Sequence, residues 1–239
     1  MKDLSIITIN LNHKEGLIRT INSVKSQKFS NYEFIVIDGC SVDGSLDVIE
    51  ENKDYITTWM SEKDGGIWDA MNKGIKLAKG KFVHILNSGD CYFDNNALNN
   101  INFETNKQFI CMSTLKLGTR DWVWLPRINM KSNFVNVSHP GLIVKKDFYK
   151  NIMYSTSYDF VSDNLFIYKN VTPVLTDIND HILVKMESGG VGSSVSISHE
   201  KEKHSLLLKE GVRKPERLYL HLVYIYFFLK NSLVKLFIR

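Results

Sequence analysis

The sequence predicts an α/β fold organised around a mostly parallel sheet. Short apolar, β-branched runs alternate with stretches of helical periodicity through residues 1–90. That alternation implies strand–helix–strand crossovers, which set successive strands parallel. The runs also end alike, because Asn10, Asp38 and Asp90 close or follow three of them. In an open α/β sheet, ligands sit in the crevice beyond the carboxyl ends of the strands.

Residues 4–9 (LSIITI) are β-branched and short, as in a buried strand. Residues 14–27 carry Leu17, Ile18, Ile21 and Val24 at helical spacing. Residues 34–38 (FIVID) make a second strand that ends in an acid. Residues 39–44 (GCSVDG) turn, 45–52 form a short helix, and 56–60 form a third strand. Residues 67–78 place Ile67, Met71, Ile75 and Ala78 on one helix face, with Gly80 as a C-terminal stop. Residues 82–86 (FVHIL) read as a buried strand that breaks into Asn87-Ser88-Gly89-Asp90. His84, inside it, reads as structural.

The second half is less regular. Strands are expected at 109–117, 122–125, 142–145, 171–176 and 181–187, the first two antiparallel. A helix of one or two turns is expected at 163–169. Residues 188–204 are polar and glycine-bearing, and read as a loop.

A chain of 239 residues, 44% of them hydrophobic, fits one sizeable domain with a small appendage. A net charge of +4 with basic residues spread along the chain does not point to nucleic acid. Cys40, Cys91 and Cys111 have no metal-ligand spacing, which suits a reducing compartment without disulfides. The first residues run straight into a strand with no secretory pattern, so a cytoplasmic location is expected.

Asn, Ser, Gly and Asp all favour turns, so Asp90 alone could be only a turn former. Its company favours a binding role. Thr8, Asn10 and Asn12 lie at the end of the first strand, Asp38 ends the second, and Asp64 follows the third. Four polar strand ends on one sheet edge read as a binding crevice. Neither GxGxxG nor GxxxxGK[ST] is present. A nucleotide held without a phosphate loop needs a cation, and a hard divalent metal can bind through one carboxylate and phosphate oxygens. Asp90 suits that task.

The stretches "LSIITINLN", "YEFIVIDGCSVDGS", "SEKDGGIWDAMNKGIKLAKGKFVHILNSGD" and "SHPGLIVKKDFY" resemble glycosyltransferase family 2, in its bacterial O-antigen, capsule and exopolysaccharide branch. The resemblance implies a GT-A fold, with a nucleotide-sugar-binding half at 1–95 and a mixed acceptor half at 96–212. It implies inverting transfer of a hexose from a UDP-sugar, with Mn²⁺ or Mg²⁺, to a polyprenyl-diphosphate-linked saccharide. By the same resemblance Thr8 and Asn10 line the nucleotide pocket, Asp38 reads the uracil ring, and Ser41 lies near the ribose. Asp64, Asp69 and Asn72 match the segment near the nucleotide and donor sugar. Ser88-Gly89-Asp90 stands where relatives carry Asp-x-Asp, with the first acid replaced and the last kept as metal ligand.

The resemblance places the catalytic base in "STSYDFVSDNLFIYKN", at Asp163, with Asp159 as competitor; Asp163 is also a plain helix N-cap by position. His139 matches an acceptor-side histidine or is a turn residue. Gly189 and Gly190 match a loop over a diphosphate or are simply a loop. Trp68, Trp122 and Trp124 read as core residues or as sugar-stacking ones. Cys91 has no partner base and is not read as a nucleophile.

Residues 213–239 combine an apolar face with Arg213, Lys214, Arg217, Lys230, Lys235 and Arg239. This reads as a helix lying in a membrane interface, which would make the protein peripheral on the inner face of the cytoplasmic membrane; a core helix is the competing reading. Two other functions stand beside the transferase. One is a catalytically inactive nucleotide-sugar-binding protein. The other is a sugar-nucleotide pyrophosphorylase, which would want a Gly-rich basic segment after the first strand.

Overall fold

Every side chain of β1 (Leu4–Asn10) is buried, as its run of apolar residues demands, and β1 sits inside the sheet rather than at an edge. The computed structural model describes residues 1–118, 120–130 and 133–186, together with residues 202, 205, 206 and 209. After β1 come α1 (Lys14–Lys25), β2 (Tyr32–Asp38), α2 (Ser45–Glu51), β3 (Thr58–Ser61), α3 (Ile67–Leu77) and β4 (Phe82–Ile85). β3, β2, β1 and β4 lie side by side, all parallel. The chain steps outward from β1 to β3, then returns to lay β4 on the other flank of β1. The order of strands reverses between β1 and β4, and such a switch point opens a crevice at the carboxyl ends.

The second half extends the same sheet with mixed directions. It comprises β5 (Cys91–Tyr92), β6 (Phe109–Lys116), β7 (Trp122–Trp124), β8 (Arg127–Asn129), β9 (Phe134–Asn136), β10 (Leu142–Lys145), α4 (Ser162–Asn170) and β11 (Thr176–Met186). β10 runs antiparallel between β4 and β6. β11 is parallel to β6 and antiparallel to β5, and β7 pairs antiparallel with the end of β6. β8 and β9 form a separate hairpin.

Alternate strand residues face opposite sides of a sheet. Leu4, Ile6, Phe34 and Val36 therefore meet Leu17, Ile21 and Val24 of α1 and Val48 and Ile49 of α2. Ile7, Ile9, Ile35 and Ile37 meet Met71 and Ile75 of α3 on the other face. A buried carboxylate also ties the half together. Glu33 accepts hydrogen bonds from the Ser5 hydroxyl (2.6 Å), the Gly80 N–H (2.9 Å) and the Lys79 N–H.

Several expectations need correction. The strands expected at 171–176 and 181–187 are a turn, closed by a 3₁₀ segment at Pro173–Leu175, followed by the single strand β11. Proline cannot donate to a ladder, which moves the strand start beyond it. Residues 177–179, left between the two expected strands, are carried by parallel pairing to β6, with irregularities between Asn179 and Ile182 and between Ile182 and Val184. Gly80 is not a left-handed helix stop. A Cβ there would lie 2.7 Å from the backbone of Leu4 and Ser5, so glycine permits close approach to β1. Glu202, within the expected loop 188–204, is helical. The two- and three-residue strands β5, β8 and β9 are too short to show a period. Gly189, Gly190 and the 213–239 helix lie outside the described residues.

His84 is structural, as expected. Its Nε2–H donates to the Pro140 carbonyl (2.9 Å), so Nδ1 accepts from the Tyr92 hydroxyl (3.0 Å). Burial pushes the imidazole down to about 4, whereas an unfolded histidine titrates near about 6.5. Between those pH values the unfolded chain binds more protons, so stability falls as pH drops from 6.5 towards 4. We expect His84→Gln to flatten that slope in urea midpoints measured across this pH range. An unchanged slope would assign it to other groups.

Candidate active site

The carboxyl ends of β1, β2 and β3 are joined through Asp38, which has no exposed surface. Its Oδ1 accepts from Asn10 Nδ2 (3.0 Å), and its Oδ2 accepts from the Ser41 N–H (2.9 Å) and the Ser61 hydroxyl (2.8 Å). Burial by itself would raise this carboxyl; the bonds from Ser41, Asn10 and Ser61 outweigh it and hold the group below its ordinary value. Ser41 Oγ in turn accepts from Asn10 Nδ2 (3.2 Å) and from the Asn12 N–H (2.8 Å). Two residues at these strand ends adopt left-handed backbone, Asn12 at φ 50° and Cys40 at φ 64°. That conformation is uncommon outside glycine. At Cys40 it is flanked by the Gly39 N–H to Asn10 carbonyl bond (2.9 Å) and the Ser41 N–H to Asp38 bond.

Across the switch point, the turn after β4 is pinned from α1. Thr20, fully buried, accepts from the Gly89 N–H (3.0 Å) and donates to the Asp90 carbonyl (2.7 Å). Gly89 stands at φ 100°, which glycine adopts without strain. The Ser88 hydroxyl reaches the His13 carbonyl (3.3 Å), and the Ser88 N–H reaches the Ile9 carbonyl (3.2 Å). Thr8, also fully buried, donates to the Leu86 carbonyl (2.8 Å) and so joins the ends of β1 and β4. Asp90 is 9% exposed. Two buried acceptors, Asn10 Oδ1 and Asn87 Oδ1, lack a hydrogen-bond partner at these adjoining strand ends.

Asp64 and Asp69 share a cation. Lys73 Nζ lies 2.7 Å from Asp64, 2.8 Å from Glu62 and 3.1 Å from Asp69. The other Asp64 oxygen lies against Gly39, 3.0 Å from where a Cβ would be, which brings Asp64 to the end of β2. Asn72 points elsewhere. Its amide closes a two-bond ring with the backbone of Tyr154, donating to the carbonyl (2.9 Å) and accepting from the N–H (3.1 Å).

Tyr154 organises the second half of the site. Its hydroxyl bonds His139 Nε2 (2.8 Å) and the Tyr149 hydroxyl (3.2 Å), and its ring packs on Trp68 and Phe166. Burial raises its phenol well above the ordinary value, with Tyr149 and the negative charge of Asp163 adding to the rise. Asp163 therefore lies within electrostatic reach of Tyr154, in the first turn of α4, where its Oδ1 accepts from the N–H and side-chain amide of Asn164 (2.7 and 3.0 Å). Desolvation takes the His139 imidazole down to about 4, which keeps it neutral at pH 7. Asp159 is exposed; its N–H and that of Phe160 donate to the Glu202 carboxylate (2.6 and 2.7 Å).

The strand ends thus gather Asn10, Asp38, Ser41 and Asp64 on one flank of the crevice and Ser88, Gly89 and Asp90 on the other. His139 packs on and bonds Tyr154, which Asn72 ties to α3, while Asp163 acts on Tyr154 through its charge. Sequence reasoning missed Thr20, Tyr154 and Glu202. Thr20 left a signal, a polar residue beside Ile21 on the inner face of a helix, whereas Tyr154 and Glu202 sit in stretches without period. Among the described residues no group of three His, Cys, Asp or Glu could hold a metal by itself. A groove of about 500 Å³ along the β8–β9 hairpin, lined by Arg127, Ile128, Asn129, Met130, Phe134 and Asn136, contains none of these residues.

The sequence model described as glycosyl transferase family 2 matches residues 5–166. An uncharacterised glycosyltransferase of Mycobacterium tuberculosis is 42% identical over 88 residues, 36% of this chain and 34% of that protein. The Escherichia coli UDP-Glc:alpha-D-GlcNAc-diphosphoundecaprenol beta-1,3-glucosyltransferase WfaP is 30% identical over 164 residues, 64% of this chain and 65% of its own. The matched part thus spans less than two thirds of each of these relatives. The Staphylococcus aureus TarS 1–349 structure in complex with UDP-GlcNAc aligns with a TM-score of 0.66 at 18% identity, covering 95% of this chain and 72% of that one. The Pyrobaculum calidifontis mannosyltransferase PcManGT, in complex with GDP-Man and Mn²⁺, also aligns at 0.66, with 12% identity over 93% of this chain and 69% of its own. At such identities the likeness shows the fold, which is GT-A. With its crevice at the β1/β4 switch point and a family match running from β1 into α4, the chain belongs to glycosyl transferase family 2.

Proposed function

We propose that the chain is an inverting glycosyltransferase. It moves a hexose (glucose, galactose or an N-acetyl derivative) from a UDP-sugar to a polyprenyl-diphosphate-linked saccharide in bacterial surface polysaccharide assembly. The observation that carries this reading is the meeting of polar strand ends at the switch point, where two buried acceptors lack partners. Buried polar groups ordinarily find partners, and exceptions call for an explanation. A donor bound across the crevice would supply them. The UDP-GlcNAc held by TarS and the lipid-diphosphate acceptor in the name of WfaP support the donor and acceptor classes.

In this reading Asn10 and Ser41 form the nucleotide wall, and Asp38 and Thr8 act from behind it by fixing the strand ends. Asp64 and Asp69, held by Lys73, border the donor sugar. Asp90 would hold a metal through its carboxylate with diphosphate oxygens completing the shell, since among the described residues no group of three His, Cys, Asp or Glu could hold one by itself. Mn²⁺ or Mg²⁺ held there would neutralise the diphosphate. Asp163 takes the proton of the attacking acceptor hydroxyl while Tyr154 and neutral His139 shape the acceptor side. Asp163 is preferred to Asp159 because its charge reaches Tyr154. Gly189 and Gly190 complete the proposed acceptor side from outside the described residues. Association with the inner face of the cytoplasmic membrane is assigned to residues 213–239; among the described residues no helix is long and apolar enough to cross a membrane.

UDP release in the presence of Mn²⁺, a UDP-sugar and a short-chain prenyl diphosphate saccharide tests the whole reading. Asp90→Ala is expected to abolish metal-dependent transfer, and Asp90→Asn nearly so. Wild-type turnover and metal response in Asp90→Ala would remove Asp90 from the site.

Asp38→Ala leaves the Ser41 N–H and the Ser61 hydroxyl without their acceptor and takes one of two acceptors from the Asn10 amide. Stability should fall by about 1–3 kcal/mol, and UDP affinity should fall more than the rate at saturation. Calorimetry with UDP beside a thermal melt checks both. Lost stability with unchanged affinity would confine Asp38 to folding.

Asp163→Asn fills the same space without accepting a proton. Donor binding should persist while transfer falls by about 10²–10⁴-fold. An active Asp163→Asn beside an inactive Asp159→Asn would hand the role to Asp159.

A further inference from the structure

Trp122 and Trp124 are not core residues. Trp122 is 45% exposed and Trp124 half-buried, whereas Trp68 is buried at 6%. Both lie on β7, two residues apart, so both side chains project from one face of the strand. Their ring centroids are 5.3 Å apart with the planes 31° from parallel, which makes one continuous aromatic surface. Leaving that much indole in water forgoes burial, and an exposed apolar patch commonly marks a binding surface.

Register shows which way the pair faces. Trp124 stands opposite Thr114 and Trp122 opposite Lys116 in the antiparallel β6–β7 ladder. Residues directly opposite in such a ladder project from the same face. The Thr114 hydroxyl bonds the Ser138 hydroxyl (2.8 Å), and its methyl lies 3.2 Å from where a Gly141 Cβ would be. Thr114 therefore points at the 138–141 turn that carries His139. The tryptophan pair shares the face from which Thr114 reaches that turn.

We propose that Trp122 and Trp124 form a saccharide-binding platform for the acceptor, stacking on the C–H faces of a pyranose ring beyond the one that is attacked. This deepens the function proposed above and rests on it for the word acceptor. The chemistry suits the ligand. Indole presents an apolar face and a polar N–H edge, and a pyranose presents C–H faces with hydroxyls around its rim. Lys116 stands directly opposite Trp122 and offers a cation on the same face. An aromatic, cation-flanked hairpin could also touch a lipid surface, and the experiment separates the two.

The test uses the full chain and a panel of lipid-free disaccharides: chitobiose, cellobiose and lactose. Saccharide binding is followed by calorimetry on titration of the wild type, Trp122→Phe, Trp124→Phe and the double alanine variant. At least one disaccharide should give a saturable change, weakened by about tenfold in the alanine variant and largely kept by the phenylalanine variants. UDP binding by calorimetry should stay at the wild-type value throughout, which also shows that the variants are folded. No response from the wild type to any of the three would overturn the platform. So would an alanine variant that binds saccharide normally, or one that loses anionic-vesicle flotation while its saccharide binding is intact. Because saccharide binding is read without turnover, an inactive wild type would count against the proposed reaction and leave this result standing by itself.

Discussion

A buried carboxylate at the end of β2 holds the donor side of this molecule in shape. Three parallel strands end at nearly the same level, and parallel pairing leaves their last polar groups facing the same crevice. Asp38 gathers those groups, taking bonds from Asn10 of β1, Ser61 of β3 and the Ser41 N–H of its own loop. The low-lying ionisation of the carboxyl follows from those donors overcoming the cost of burial. Held this way, the loop keeps Cys40 in a left-handed conformation that the residue would not choose alone. Local strain of that kind persists where the surroundings over-determine it, and it gathers at binding sites.

The other flank of the crevice is built by a different device. The Asn87–Asp90 turn is closed by the Asp90 N–H to Asn87 carbonyl bond (3.0 Å) and by Gly89 in left-handed backbone. Thr20 pins it from α1, with one hydroxyl serving both the Gly89 N–H and the Asp90 carbonyl. Asp90 is thereby placed by a helix that lies 70 residues earlier in the chain. The crevice thus has one wall set within the sheet and another set by the layer above it. A change to either wall would alter the spacing between them.

Tyr154 plays the corresponding part for the acceptor side. It is buried against Tyr149, Trp68 of α3 and Phe166 of α4, and its polar atoms are spent on His139, Tyr149 and Asn72. Through Asn72 the donor-side helix α3 grips the loop that leads to α4. The two halves are therefore rigidly related at the place where the proposed donor and acceptor meet. Glu202 adds a further hold on the same loop by accepting from the Asp159 and Phe160 N–H groups.

The sequence by itself determined the alternating first half. The β-branched runs of β1, β2 and β4, the helical spacing in α1 and α3, and the polar residues at strand ends are local patterns, and local patterns survive without knowledge of contacts. The missing phosphate loop was equally legible, because a loop of that kind is a spacing of glycines. What only the tertiary structure decided depends on groups far apart in the chain. Asp38 reads as a ligand-facing acid until three strand ends close over it. Gly80 reads as a helix stop until β1 passes within reach of its missing Cβ. Trp122 and Trp124 read as core or as sugar-stacking residues until pairing with the end of β6 leaves Trp122 exposed and Trp124 half-buried. β11 reads as two strands until a parallel neighbour supplies the hydrogen bonds that carry it through. In each case the deciding term is a partner dozens of residues distant, and side-chain periodicity carries no record of such a partner.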